Sequence, residues 1–261
     1  MTIVLIAFVL YLLAAGLLVR GLASASTPGV GWLAPAIAAV ALHALAHVMA
    51  WRAGGGPDLH FFAALSLVAL GMSAVTAAVA ARGRMAALGV VVFPVAAMAA
   101  LAYGAYGRHL PGGLDWRLQL HAWCALLAYA TLAVAAVLAV MLWLQERALR
   151  RHEFRRWLRV LPPLTELEML LFRTIGVGFV LLSATLLTGL LFVEDFFAQH
   201  LLHKSVLSVL SWLAFGALLV GRWRQGWRGA TAVRWTLAAM ALLVLAFFGS
   251  KFVLELVLQR G

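Results

Sequence analysis

Eight apolar stretches, each close to the length of a membrane-spanning helix and separated by short polar breaks, decide what this chain can become. A bilayer core of about 30 Å takes about 20 residues of helix. In hydrocarbon each segment must satisfy its own backbone N–H and C=O groups, so every span is expected to be helical. The spans fall at residues 2–19, 31–50, 60–81, 85–103, 118–144, 170–193, 203–220 and 232–258. They consume most of the 261 residues and leave no length for a soluble domain. The expected fold is all-α: a polytopic membrane helix bundle of about eight transmembrane helices, forming a single domain over 1–261. The apolar N-terminus has no basic leader and no small-residue cleavage pattern, so it reads as the first helix and not as a removed signal. No internal repeat is evident.

Charge is scarce and placed in a pattern. Only 11% of residues are charged, against roughly 25% in a soluble domain. The net charge of +11 does not point to nucleic acid, because the arginines sit in short loops between apolar spans. Fourteen of the 20 basic residues lie on one side: Arg20, Arg82, Arg84, Arg147, Arg150, Arg151, Arg155, Arg156, Arg159, Arg173, Arg222, Arg224, Arg228 and Arg234. The other side carries Arg52, Arg108, Arg117, Lys204, Lys251 and Arg260. This bias puts the loops after spans 1, 3, 5 and 7 in the cytoplasm and both termini outside. The connections carry turn chemistry, at Gly54-Gly55-Gly56-Pro57 and Pro111-Gly112-Gly113.

The longest cytoplasmic connection, residues 146–161, mixes arginines with Leu149, Phe154, Trp157 and Leu158. It reads as a helix extension or a surface helix against anionic lipid, and otherwise as a docking site for a soluble partner. Pro162 and Pro163 end it, and Thr165 with Glu168 matches a capping box for the sixth helix.

With this topology seven of the eight histidines lie at or near the outer face: His43, His47, His60, His109, His121, His200 and His203, leaving His152 inside. Neutral imidazole is the commonest metal ligand and binds haem iron axially. His43 and His47, at i and i+4, share a helix face that Trp51 continues. His43 lies nine residues from Arg52, so about 13 Å along the helix at 1.5 Å per residue, inside the hydrocarbon. An ionisable side chain there is costly without a partner and is a functional candidate by default. His121 lies four residues beyond Arg117, and the small Ala125 and Ala128 follow on its face, where a flat ligand or another helix could approach. The interfacial reading, with water or carbonyls as partners, is favoured for His60, His109 and His200. No HExxH and no carboxylate cluster accompanies these histidines, which excludes the common zinc-hydrolase pattern. Haem between helices suits them better.

Other ionisable groups have plainer readings. Lys251 and Glu255 are at pairing distance in the last span, Glu194 and Asp195 mark the end of the sixth, and Cys124 reads as core filler. One cysteine excludes an internal disulfide, a CxxC pair and a CxxCH haem attachment. No nucleophile–base constellation appears, so no enzyme is expected.

The stretch LQLHAWCALLAYATLAVAAVLAVMLWLQERALRRH (118–152) resembles the His-bearing helix of the cytochrome c assembly family. The runs at 161–192 and 203–235 and the terminal AFFGSKFVLELVLQR continue the resemblance, which is greatest to the small YpjD/HemX branch and covers nearly the whole chain. It implies a multi-pass protein of the bacterial inner membrane that handles b-type haem as an accessory in cytochrome c assembly. His121 matches an external histidine that ligates haem in larger relatives. Their tryptophan-rich external segment is replaced here by EDFFAQHLLHKS. The last helix ends in LVLQRG without histidine, and Gly221-Arg222 stands where they carry another. The partner of His121 is then expected among His203, His43 and His47, with His203 first. The contrasting reading is a membrane scaffold or regulator of a soluble partner, such as a tetrapyrrole-synthesis enzyme, with no haem of its own.

Overall fold

The computed structural model describes residues 1–23, 30–81, 87–107, 115–152, 162–192 and 199–252. Among them there is no strand, and eight helices are long and apolar enough to cross a membrane. They are α1 (Thr2–Ala23), α2 (Leu33–Gly54, entered through a short 3-10 turn at Val30–Trp32), α3 (Phe61–Ala80), α4 (Ala87–Tyr106), α5 (Trp116–Arg150), α6 (Leu164–Phe192), α7 (Gln199–Gln225) and α8 (Ala230–Val244). All eight expected spans are present, most of them longer than hydropathy marks them. At 35 residues α5 is about 52 Å long at 1.5 Å per residue, far more than a bilayer core needs. The arginine-rich segment is thus a helix extension as far as Arg150; residues 153–161, with three of its six arginines, lie outside the described residues. The Glu146–Arg150 pair at 3.8 Å, its guanidinium in the open, contributes little.

The chain forms two compact units, the first comprising residues 1–114 and 144–167 and the second residues 115–143 and 168–261. In the first unit α1 packs on α2 and α4, and α3 packs on α4 and α2. Its core is built on small residues, Ala14, Ala36, Ala39, Ala69, Ala96 and Ala97, around Tyr11, Leu18, Trp32 and Phe93. Between helices in lipid the association is driven by close packing, and alanine and glycine permit it. A Cβ on Gly89 would sit 2.6 Å from Leu18 Cδ1, so this glycine is what lets α4 approach α1. The Gly54-Gly55-Gly56-Pro57 turn behaves as its composition predicts: Gly55 ends α2 at φ 72°, in the left-handed region that favours glycine.

In the second unit α7 packs on α8. Trp212 of α7 stacks on Phe179 of α6 at 5.4 Å and donates its indole N–H to Ser183 Oγ at 2.8 Å. Ser211 donates to the Ala239 carbonyl of α8 at 2.8 Å. After Val244, α8 continues as a π turn over Leu245–Gly249. A π turn breaks the regular ladder. The hydroxyl of Tyr129 on α5 donates to the Leu243 carbonyl at this point.

The expected capping box does not form. Helix α6 begins at Leu164, so Thr165 is already inside it and exposed, and the Pro163 carbonyl receives the Leu167 N–H at 3.1 Å. Glu168 is buried and accepts the backbone N–H of Gly229 at 2.8 Å, the residue immediately before α8. The local pattern lost to a tertiary partner: the orphan donor at the mouth of α8 has no side-chain cap of its own.

Candidate functional site

The four histidines singled out as ligands divide between the units: His43 and His47 in the first, His121 and His203 in the second. In the first unit a buried polar chain threads four apolar helices. Tyr11 on α1 lies 3.2 Å from His43 Nδ1, and His43 Nε2 lies 2.7 Å from Ser66 Oγ on α3. His47 Nε2 reaches that same hydroxyl at 2.9 Å. Tyr11 also bonds Ser73 Oγ at 2.9 Å, and Ser73 donates onward to the Leu70 carbonyl at 2.8 Å. The ring of His47 stacks on Tyr103 of α4 at 4.4 Å.

The proton positions follow from one fixed end. Ser73 has a single hydroxyl proton, given to a carbonyl, so the Tyr11 hydroxyl must donate to Ser73. Tyr11 oxygen therefore accepts from His43 Nδ1–H, and His43, neutral, presents an unprotonated Nε2 to the Ser66 hydroxyl proton. Ser66 oxygen then accepts from His47 Nε2–H. Every donor points the same way, and both nitrogens of His43 are engaged. The expectation that an intramembrane His43 needs partners is met by side chains, with only 1% of the residue exposed. Trp51, which continues the His43–His47 stripe, is exposed.

In the second unit His121, near the start of α5, donates Nδ1–H to the Thr185 carbonyl of α6 at 3.1 Å. Thr188 Oγ1 lies 3.2 Å from the same nitrogen and spends its own proton on the carbonyls of Ala184 and Thr185. The ring is accommodated by Gly189, where a Cβ would stand 3.1 Å from His121 Cε1. With Nδ1 protonated and held, neutral His121 has its lone pair on Nε2, and no described residue bonds it.

His121 lines a cavity of about 250 Å³, open on one side, with Ala125 and Tyr129 of α5, Leu182, Thr185, Leu186 and Gly189 of α6, and Lys204, Ser205 and Ser208 of α7. Leu243 of α8 and Ala246 and Phe247 of the π turn complete it. Of the two alanines expected to give a ligand room, Ala125 does so, whereas Ala128 is packed away completely. His203 belongs to α7, one residue ahead of Lys204; its side chain lies outside the described residues, as does that of His200.

Of the remaining candidates, His60 precedes α3 and gives its backbone N–H to Asp58 Oδ1 at 3.0 Å, a local turn bond. His152 stands at φ 53° just past α5, a helix-terminating conformation. Lys251 lies over the Phe247 ring at 5.4 Å. His109, Glu194, Asp195, Glu255 and the Pro111-Gly112-Gly113 turn lie outside the described residues. Among the described residues no three His, Cys, Asp or Glu side chains converge as a metal site would require. Sequence reasoning missed Tyr11, Ser66 and Ser73 as partners of His43, and Thr185 as the anchor of His121.

The arrangement defines a polytopic helical membrane protein with one histidine cluster consumed by internal hydrogen bonds and one histidine held open beside a cavity. The chain belongs to the cytochrome c assembly family, whose description, Cytochrome C assembly protein, matches residues 30–258. It is similar to the inner membrane protein YpjD of Escherichia coli K12, 32% identical over 97% of this chain and 98% of that one. A 28.8 kDa protein of Azospirillum brasilense is 38% identical over 63% of this chain and 62% of its own. Protein HemX of Brevibacillus brevis is 26% identical over 51% and 49%, respectively. No solved structure matches. The protein is a multi-pass protein of the inner membrane.

Proposed function

We propose that this protein binds b-type haem in its second unit, with His121 as an axial ligand, and serves as an accessory in cytochrome c assembly. The observation that carries the reading is the state of the His121 ring. Its Nδ1 is tethered to a backbone carbonyl while Nε2 has no described partner, in a residue lining an apolar cavity. Tethering the distal nitrogen to a carbonyl fixes tautomer and ring orientation, the usual support of a metal-bound imidazole. Ala125, Gly189 and Ala246 leave a narrow wall for a flat group. Haem would supply an iron Lewis acid and a one-electron couple; the protein supplies the lone pair, the apolar surround and the exclusion of water.

The full engagement of His43 and the shared hydroxyl at His47 favour His121 over the first unit's pair. The second axial position is assigned by experiment between His203 and an open site. Handing haem onward to an assembly partner follows from the family, and the competing reading is a regulator acting through segment 146–161 with no haem.

The deciding measurement is an absorption spectrum of the detergent-purified protein, oxidised and dithionite-reduced. A Soret band lost in His121→Ala and kept in His47→Ala supports the proposal. Sharp reduced α and β bands that vanish in His203→Ala would add His203 as the second ligand. No Soret band, even after haem is added, sinks the haem reading and leaves the regulator in front.

A further inference from the structure

We infer that Tyr129 is a positioning residue of the His121 cavity: its hydroxyl occupies a rung of the α8 hydrogen-bond ladder and thereby seats Phe247 in the cavity wall. The inference rests on the haem reading only for the identity of the ligand that the wall meets. The hydroxyl has two backbone partners one helical turn apart: it donates to the Leu243 carbonyl and accepts the Phe247 N–H. In an uninterrupted α-helix residues 243 and 247 bond each other, the N–H of one to the C=O four residues earlier. Here the phenol oxygen stands between them, and the helix opens into the π turn over Leu245–Gly249. A side chain inserted into this ladder is one of the few causes of such a local distortion. The turn contains no proline, and its glycine comes last, after the opening has been made.

Packing holds the phenol in place. Tyr129 is buried, with its ring 5.8 Å from that of Phe247 and edge-on to that of Phe248 at 5.6 Å. A hydroxyl in such an apolar core is costly without partners, and this one uses its proton and a lone pair on the same stretch of α8. Withdrawing it would let residues 243 and 247 close on each other and leave the phenol stranded, so the opened turn and the inserted hydroxyl stabilise one another. The cavity is where this matters. His121, Ala125 and Tyr129 line it from one face of α5, at i, i+4 and i+8, and Leu243, Ala246 and Phe247 line it from α8 and its π turn. One face of α5 therefore carries both the nitrogen offered to a ligand and the hydroxyl that shapes the α8 wall. Regular winding would turn Phe247 about the helix axis and out of that wall, changing the shape of ligand that the cavity accepts.

The test has one arm without haem and one with it. In the first, para-fluorophenylalanine replaces Phe247 or Phe252, one at a time, in full-length protein in detergent. The fluorine resonances are compared between the wild-type background and Tyr129→Phe, which keeps the ring and loses the hydroxyl. Both resonances are expected to move, because rewinding the turn displaces Phe252 as well as Phe247. Movement at Phe247 alone, the local effect of a lost hydroxyl, overturns the inference, as does no movement at either. Tyr129→Met also lacks the hydroxyl and should reproduce the displacement at Phe252, so the outcome does not hang on one variant folding. In the second arm haem is titrated and the Soret band followed. Tyr129→Phe and Phe247→Ala should each weaken binding severalfold, and the double variant no more than the worse of the two, since residues acting through one contact are not additive. Additive losses overturn the inference and leave the haem reading standing. If haem gives no Soret shift in wild type, the haem reading fails, and the fluorine arm alone decides whether Tyr129 seats Phe247.

Discussion

His43 and His47 present their Nε2 atoms to one and the same hydroxyl, that of Ser66, at 2.7 and 2.9 Å. One oxygen can serve two imidazoles because it gives its proton to His43 and takes one from His47. A residue with an ordinary helical side chain thereby becomes the joint between α2 and α3.

Ser66→Ala should therefore cost more than a buried serine usually does. It removes both bonds at once and leaves two imidazole nitrogens without partners in an apolar core, for about 1–2 kcal/mol. Thermal unfolding in detergent would register this as a lowered midpoint, with Tyr11→Phe showing a smaller loss. An unchanged midpoint in Ser66→Ala would show that the chain of hydrogen bonds carries no stability.

Glycine at 189 is needed for His121. The tether at Nδ1 keeps the ring from retreating, so the methyl of Gly189→Ala, 3.1 Å from Cε1, must displace it or lengthen the bond to Thr185. Haem affinity should fall severalfold with little change in unfolding midpoint, as titration of the Soret band would reveal. Unaltered affinity would argue that the ring position does not matter.

Gly178 offers a contrast in the same helix, one turn from Leu182 and outside the cavity lining. A Cβ there would lie 2.5 Å from Leu132 Cδ2 and 2.6 Å from its Cγ, and Leu132 is fully buried. Overpacking of this kind costs about 1–3 kcal/mol, so Gly178→Ala should lower the midpoint of thermal unfolding. Wild-type stability in this variant would mean that α5 and α6 are free to separate slightly.

Glu168 binds the backbone N–H of Gly229, 61 residues later, immediately before α8. Glu168→Ala strands the Gly229 N–H and should cost about 1–3 kcal/mol, whereas Glu168→Gln keeps an acceptor and should cost less. Denaturation of the two variants side by side separates this role from a merely space-filling one, which would affect both alike.

Orientation is checked by labelling. In a Cys124→Ser background, the arginine bias predicts that cysteines at His152 and Gln225 react with a membrane-impermeant maleimide only after cells are opened. Cysteines at Ala53 and Asp115 should react in cells with only the outer membrane permeabilised. The reverse pattern would place the termini, and the open end of the site, in the cytoplasm.

The helices were legible because bilayer thickness imposes a length that composition reveals directly, and His43 with His47 stood out because polar atoms in such helices are rare. Ser66 and Tyr11 did not stand out. A lone serine or tyrosine in an apolar run carries no periodic signal, and its importance lies in the registry of α1, α2 and α3, which local sequence does not encode. Thr165 and Glu168 misled for the related reason that a capping pattern is local while the competitor, the Gly229 N–H, is distant in sequence. The Nδ1 anchor of His121 was invisible in principle, because its acceptor is a backbone carbonyl that any residue at 185 would provide.

The π turn at Leu245–Gly249 has the effect of a phase change. One residue more than an α-turn needs has been folded into the helix, so the residues after it, as far as Phe252, are indexed about 100° away from where the first half of α8 would have placed them. Ala246 and Phe247 meet the cavity at this dislocation, while the Tyr129 hydroxyl holds the carbonyl at its edge. Deleting a single residue there would restore a continuous α-helix and, with every other side chain intact, rotate the residues that follow the turn, up to Phe252, away from their present positions. The cavity wall is thus fixed by counting residues as much as by their chemistry.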